Sequence, residues 1–286
     1  MIYFYRHNNT DNLSMEELDM LGIDGIKRFS EETGVSFEEA LAHVKELESK
    51  LASMKIEQFD MSSGKNQELF NYWVNNYIKY FNQHATQNKQ AFVILGNISS
   101  GKSTYAKELE AEKQAIIIDP DRFKMGENTP VGHFEGFTSL YQVDTDRERM
   151  QEPCGDAAKK VLDNVSKEGL NLIIPKATKT LEKLNKQLQI LFDRGYDVHL
   201  IQIETPLEEC ANRNYFRYLI NEYAADSHGR FVPVSVIKDI GDHTFITFAR
   251  AMKESGKRYK SFKAFYNSKN TRNEEIDLET MIQPEY

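Results

Sequence analysis

Residues 96–103, with the sequence GNISSGKS, constrain the fold of this chain more than any other segment. They match the pattern G-x-x-x-x-G-K-[ST] and directly follow an apolar run at residues 92–95. This order predicts a strand, a phosphate-binding loop and a helix. Glycines let consecutive N–H groups surround a phosphate, and the helix N-terminus attracts the same anion. The strand–loop–helix context disfavours the alternative, an accidental Gly/Ser turn.

The loop predicts binding of ATP together with Mg²⁺. We expect Lys102 to reach the β- and γ-phosphates and Ser103 to bind the metal ion. The predicted nucleotide-binding residues are Gly96, Asn97, Ser99, Ser100, Gly101, Lys102, Ser103 and Thr104.

Composition narrows the class of protein. In 286 residues, 40% are apolar, which is enough for a sizeable core. The net charge of −8 argues against a dedicated nucleic-acid binder. Two cysteines without metal-ligand spacing, and no apolar run of membrane-spanning length, predict a cytoplasmic protein.

The first 85 residues are predicted to form a separate, acidic helical domain. Residues 1–60 carry 13 acidic and 6 basic side chains, so −7 of the net charge lies there. Ser14 with Glu17 and Ser36 with Glu39 fit the capping box of a helix start. A solvated helix face is the simpler explanation of the charge.

A third predicted helix, about residues 67–83, carries aromatic side chains at helical spacing. We interpret Trp73 in this helix as part of a packed core rather than of a ligand site.

Residues 86–286 are predicted to form an α/β domain with a P-loop NTPase-type parallel sheet flanked by helices. The predicted strands are the short apolar runs at residues 92–95, 115–118, 170–174 and 198–203. Longer helical stretches separate them, as in a parallel sheet with helical connections. A helix at about 234–253 and a last strand at 262–266 complete the predicted domain.

Two carboxylates follow the second predicted strand. Asp119 and Asp121 stand at the end of this strand, where open α/β sheets bind ligands. A carboxylate there can accept the proton of an attacking hydroxyl or hold a metal-bound water. Asp also commonly caps helices and turns. We favour a catalytic role, and within the pair we favour Asp121.

Three arginines lie on and after the helix that follows the fourth strand. Arg213 and Arg217 are four residues apart and share one helix face, and Arg230 lies further on. Guanidinium groups suit the charge that phosphoryl transfer spreads over the transferred group. The segment between the outer two, Arg213 and Arg230, includes AADSHG at 224–229 and has the composition of a mobile lid.

In order and spacing, these motifs resemble the zeta toxin kinases over about residues 91–270. The resemblance rests on the phosphate loop, IIDPDRFK at 117–124, GLNLII at 169–174, Arg217-Tyr218, Tyr223 through Arg230, and FYN at 265–267. It implies a small-molecule kinase that phosphorylates the 3′-hydroxyl of the sugar of UDP-N-acetylglucosamine, as the toxin of a toxin–antitoxin system. It also implies that Lys102 and Ser103 bind ATP and Mg²⁺, that Asp121 is the general base, and that Arg217 and Arg230 stabilise the phosphoryl group.

The sequence departs from this family in the acceptor pocket. Two glutamates of the family's sugar-nucleotide pocket fall on Lys159 and Pro175 here, and Glu152 or Asp156 could replace the first. The acceptor could therefore be another small molecule or a dinucleotide such as NAD. A nucleotide-dependent switch without transfer is the alternative from a different class.

The acidic front segment resembles the antitoxin part of single-chain epsilon–zeta proteins. We expect residues 1–85 to inhibit the kinase in cis by covering the nucleotide or acceptor site. The alternative is a helical layer that only packs on the core.

Overall fold

The computed structural model describes residues 20–53, 57–83, 85–129, 132–141, 147–223, 231–254 and 258–281, together with Ser14 and Glu17. Its helices are α1 (Ile23–Thr33), α2 (Phe37–Ser53), α3 (Gly64–Asn82), α4 (Lys102–Lys113), α5 (Pro120–Met125), α6 (Phe137–Leu140), α7 (Gln151–Lys167), α8 (Leu181–Asp193), α9 (Leu207–Tyr223), α10 (Val234–Glu254) and α11 (Leu278–Met281). Its strands are β1 (Gln90–Gly96), β2 (Ile116–Ile117), β3 (Gly126–Thr129), β4 (Gly132–Glu135), β5 (Leu172–Lys176), β6 (Asp197–Glu204), β7 (Ser261–Tyr266) and β8 (Glu274–Glu275).

A six-stranded sheet forms the centre of the molecule in the order β2-β5-β1-β6-β7-β8. The first five strands are parallel, and β8 pairs antiparallel with β7. Parallel strands buried on both faces need apolar residues in nearly every position, and all of β1 after Gln90 is buried. The predicted parallel α/β fold is confirmed. The β3–β4 hairpin was not predicted from the sequence.

The third N-terminal helix, α3, packs in the same core as the sheet. Trp73 and Tyr77 are buried among the side chains that cover one sheet face. The Trp73 indole N–H donates to the carbonyl of Glu135 at 2.8 Å, and the Tyr77 hydroxyl donates to that of Ile117 at 2.6 Å. Trp73 is therefore a core residue, and α3 is an integral layer of the sheet-containing unit.

The first two helices pack elsewhere. Helices α1 and α2 form a second apolar cluster with α9, in which Ile26 and Phe29 are fully buried. The capping box predicted at Ser14 is present, because its hydroxyl accepts from the Glu17 amide at 3.2 Å and the Glu17 carboxylate accepts from the Ser14 amide at 2.8 Å. The helical front end thus divides into a pair on α9 and a helix within the main core. The predicted boundary at residue 85 stays a prediction.

Within the described ranges, no helix is both long enough and apolar enough to cross a membrane.

Candidate active site

The loop between β1 and α4 closes around one end of a cavity of about 760 Å³. Residues 98–104 line the cavity, whereas Gly96 and Asn97 are buried and do not contribute to the lining. Gly101 has φ 96°, and a Cβ atom there would overlap the Asn267 side chain. Glycine is required here on both counts.

Side chains from neighbouring strand ends hold the loop in place. The Ser100 carbonyl accepts from the Thr205 hydroxyl at 3.0 Å and from the Asn267 amide at 2.7 Å. These residues follow β6 and β7 directly. The sheet therefore fixes the position of the loop from one side.

Lys102 is held at the mouth of the loop. Its ammonium donates to the carbonyl of Asn97. Burial lowers the pKa of Lys102 to about 8, because desolvation disfavours the charged form. An anion bound in the loop would stabilise the ammonium, so the site fits a phosphate group.

Asp119 and Asp121 line the same cavity at the end of β2. Asp119 caps α5 by accepting from the Asp121 amide at 3.0 Å, and the Ser103 hydroxyl donates to its carboxylate at 3.4 Å. Burial, followed by the charge of Asp121, raises the pKa of Asp119 to about 6. Because of its hydrogen bond to the Asp121 amide, Asp119 is the N-cap of α5, as the capping interpretation predicts. Asp121 lies in the first turn of the same helix.

The Ser103 hydroxyl and these two carboxylates are hard oxygen ligands of the kind that suits Mg²⁺. In the described part of the chain, no group of three or more His, Cys, Asp or Glu side chains forms a protein-only metal site. The arrangement fits a metal that takes its remaining ligands from phosphates and water.

Two of the three predicted arginines reach the cavity from α9. Arg217 donates to the Ser99 hydroxyl of the loop at 3.3 Å, and Arg213 pairs with Glu209 at 2.7 Å. Arg230 and the predicted lid at 224–229 lie outside the described residues. The structure thus brings Arg217, Lys102, Ser103 and Asp121 to one cavity.

The residues considered for the acceptor pocket divide into two groups. Pro175 lines the cavity, whereas Lys159 is exposed and pairs with Asp156 at 2.7 Å. Neither Glu152 nor Asp156 contributes to the described lining, so the cavity gives no support to either as a replacement for the missing glutamate.

Sequence reasoning missed several lining residues, among them Gln151, Lys176, Asn267, Lys269 and Arg272. Lys176 ends a strand that the sequence predicts to stop at residue 174. The sequence signal that could have identified Lys176 is its position just after a predicted strand, at the sheet edge where Asp119 also follows a strand.

Asp119→Asn is expected to stabilise the protein at pH 8 but not at pH 4, without nucleotide or divalent ions. A raised folded-state pKa means that folding favours the protonated carboxyl, so stability falls as the pH rises from about 4 to about 6. Asparagine removes this dependence and is an equally good helix cap. The gain at pH 8 is expected to be on the order of 1–3 kcal/mol in urea unfolding. An equal effect at both pH values would contradict the raised pKa.

Arg217→Lys is expected to lower the rate of any phosphoryl transfer by roughly ten- to a hundredfold, because lysine keeps the charge but lacks the planar pair of donors. Substrate affinities are expected to change little. Arg213→Lys is the matched variant, since Arg213 is engaged by Glu209, and its effect should be smaller. Steady-state kinetics of both variants test this, and full activity of Arg217→Lys would place the residue outside the transition state.

Comparison with known proteins identifies the family and the fold. The zeta toxin family model matches residues 75–272. Among solved structures, the chain is similar to one from the PezAT chromosomal toxin–antitoxin system of Streptococcus pneumoniae, with 18% identity, a TM-score of 0.53, and coverage of 74% of this chain and 80% of that one. A structure of AvrRxo1-ORF1 with AvrRxo1-ORF2 and sulphate ions has 14% identity, a TM-score of 0.46, and coverage of 74% and 64%. No curated protein matches the sequence.

Proposed function

The chain belongs to the zeta toxin family, and from this premise we propose that it is an ATP-dependent kinase that phosphorylates the 3′-hydroxyl of the sugar of UDP-N-acetylglucosamine. One observation carries the kinase activity: the phosphate loop, the Asp119–Asp121 pair and Arg217 line a single cavity. The choice of acceptor rests on the family. Phosphoryl transfer requires positioned phosphates, a base for the attacking hydroxyl and cationic donors for the transferred group.

Each side chain has a role in this proposal. Lys102 holds the β- and γ-phosphates, and the N-terminus of α4 adds its dipole. Asp121 accepts the proton of the acceptor hydroxyl. Arg217, and Arg230 by the family resemblance, stabilise the three phosphoryl oxygens during transfer.

The proposal includes Mg²⁺, which the Ser103 hydroxyl and the neighbouring carboxylates would help to bind. When bound, the ion neutralises charge on the β- and γ-phosphates. Asp119 orients the Ser103 hydroxyl by accepting its hydrogen bond.

The full chain, incubated with Mg·ATP and UDP-N-acetylglucosamine, is expected to yield a product heavier by one phosphoryl group, which mass spectrometry detects. The product should carry the phosphate at the 3′-position in ³¹P-¹H correlation spectra. Because no carboxylate stands at Lys159 or Pro175, NAD and other nucleotide sugars belong in the same assay. Transfer only to one of these would overturn the acceptor, and slow ATP turnover without any acceptor would favour a switch.

We further propose that the N-terminal helices inhibit the kinase in cis by acting on α9. The Gly25 amide donates to the Asn212 side chain at 3.1 Å, and the hydroxyls of Tyr215 and Tyr218 contact Glu48 at 2.8 Å and His43 at 3.0 Å. No residue in the described range 20–53 lines the cavity. The contacts therefore favour control of the arginine-bearing helix over direct covering of the site.

A further inference from the structure

Two side chains to which the proposed mechanism gives no role, Thr205 and Asn267, hold the same carbonyl group of the phosphate loop. The Thr205 hydroxyl donates to the Ser100 carbonyl at 3.0 Å, and the Asn267 amide nitrogen donates to it at 2.7 Å. The two residues follow β6 and β7, which are parallel neighbours in the sheet. A carbonyl oxygen has two lone pairs, so the sheet provides a donor for each of them.

The direction of this carbonyl determines the direction of the next N–H group. A trans peptide unit is planar, and the described residues contain no cis peptide bond, so the Ser100 C=O and the Gly101 N–H point in opposite directions. The Gly101 N–H therefore points away from Thr205 and Asn267. Gly101 lines the cavity, and within the described ranges its N–H has no hydrogen-bond acceptor. This donor is free to bind an anion in the loop.

Asn267 favours this orientation of the peptide over the reverse one. Its NH₂ group can donate but cannot accept, so turning the peptide over would place the Gly101 N–H against another donor. The turned peptide would also direct the Ser100 carbonyl oxygen at the phosphates. Ser100 and Thr205 are both buried, so water cannot easily replace either hydrogen bond.

Helix α4 makes the direction of this N–H group important. Gly101 is the N-cap of α4, and no side chain caps the helix there. The N–H groups of a first helical turn need an acceptor, which a phosphate supplies when it binds. The Gly101 N–H adds to this set of donors only if the Ser100 carbonyl is held on the opposite side.

We propose that Asn267 and Thr205 are positioning residues that hold the Gly101 N–H towards the bound phosphates. Asn267 sets the direction of the peptide, and Thr205 restricts its rotation. Neither side chain takes part in the transfer step. This inference rests on the proposed binding of ATP in the loop, and it assigns part of the phosphate affinity to residues about 100 or more positions away in the chain.

Inorganic tripolyphosphate with Mg²⁺ is the probe, titrated calorimetrically into the full chain, because it offers the loop three phosphates without a base or sugar. We expect the wild type to bind it. Asn267→Asp keeps the shape of the side chain but replaces the donor with an acceptor. Ser268→Asp is the matched charge control, since Ser268 also lines the cavity and an aspartate can still accept from the Asn270 amide as the serine hydroxyl does. Asn267→Asp should bind the probe at least about tenfold more weakly than Ser268→Asp.

Thr205→Val removes the second donor without adding charge. It should weaken tripolyphosphate binding by roughly three- to tenfold, the usual effect of losing one neutral hydrogen bond. Thr205→Ser keeps the hydroxyl and should stay within about twofold of wild type. Thr138→Val is the control for folding, because the Thr138 hydroxyl makes a buried hydrogen bond to the Lys124 carbonyl at 2.9 Å and Thr138 does not line the cavity. It should lower the unfolding temperature without changing the affinity for the probe.

Equal affinities of Asn267→Asp and Ser268→Asp, or of Thr205→Val and wild type, overturn the positioning role. A loss in Thr205→Ser as large as that in Thr205→Val overturns it as well, because the effect would then come from packing. No binding of tripolyphosphate by the wild type overturns phosphate binding by the loop, and this role with it. Binding by the wild type without phosphoryl transfer to any acceptor contradicts the kinase proposal alone.

Discussion

Asp121→Ala is expected to lower turnover by a factor on the order of 10²–10⁴ while ATP affinity stays close to that of the wild type. The aspartate lines the cavity from the first turn of α5 and is next but one to the capping residue Asp119. A positioned general base contributes only when the proton moves, so its loss affects the chemical step rather than binding.

Lys102→Ala is the complementary variant. Because Lys102 is half-buried at the loop and is the cation expected to hold the phosphates, its removal should weaken ATP binding and abolish transfer together. The two variants therefore separate binding from chemistry. Calorimetry with ATP and initial rates with the acceptor measure the two effects.

Asp156→Ala serves as the carboxylate control, since Asp156 pairs with Lys159 on the surface and does not line the cavity. It should retain wild-type kinetics. Near-normal turnover in Asp121→Ala would remove the base assignment from this residue, and Asp119 would then be tested in the same way.

The sequence could predict those parts of the candidate site that depend on patterns of neighbouring residues. The phosphate loop between β1 and α4 and the carboxylates after β2 follow from the order of apolar runs, glycines and charged residues, because strand ends of a parallel sheet meet at one edge. Arg217 could be predicted from its helical spacing to Arg213. These features need no knowledge of long-range packing.

The rest depends on tertiary contacts. The side-chain oxygen of Gln151, a lining residue, accepts from the ammonium of Lys124, which lies 27 residues earlier in the chain. Likewise, the amphipathic pattern of α3 predicts a helix but not the surface that it covers, and this helix packs on the sheet instead of on α1 and α2. The hydrophobic periodicity of a helix indicates that one of its faces is buried, but it does not indicate which element covers that face.

Removing residues 1–56 and removing residues 1–85 are expected to have opposite outcomes. The longer deletion takes away α3, and truncation of Trp73 to alanine alone is expected to cost about 3–5 kcal/mol. Whole domains are stabilised by about 5–15 kcal/mol, so the longer deletion should not fold. The shorter deletion keeps the segment from residue 57 onward, where the Phe59 amide donates to the Arg149 carbonyl at 2.9 Å. It should fold cooperatively by circular dichroism and calorimetry.

The folded 57–286 protein should also be the more active kinase, because α9 is freed from α1 and α2. Tethering makes inhibition effective even for a weak contact. An effective concentration of about 1 mM and an intrinsic dissociation constant of about 10 μM leave about 99% of molecules closed. Deletion should then raise the initial rate by up to about a hundredfold. The separate 1–56 segment, added at micromolar concentration, should inhibit only weakly.

Gly25→Ala tests the same contact in the full chain. A Cβ atom on Gly25 would lie 2.2 Å from the Asn212 carbonyl oxygen, so alanine must push α1 away from α9. Gly64→Ala is the matched control, because no atom lies within 4 Å of the added Cβ and the residue begins α3. We expect higher kinase activity in Gly25→Ala and no change in Gly64→Ala.

If the 57–286 protein folds and binds ATP yet is no faster than the full chain, α1 and α2 are a structural layer and cis-inhibition is wrong. If residues 86–286 fold as stably as residues 57–286, α3 contributes far less to the core than its buried aromatic side chains indicate.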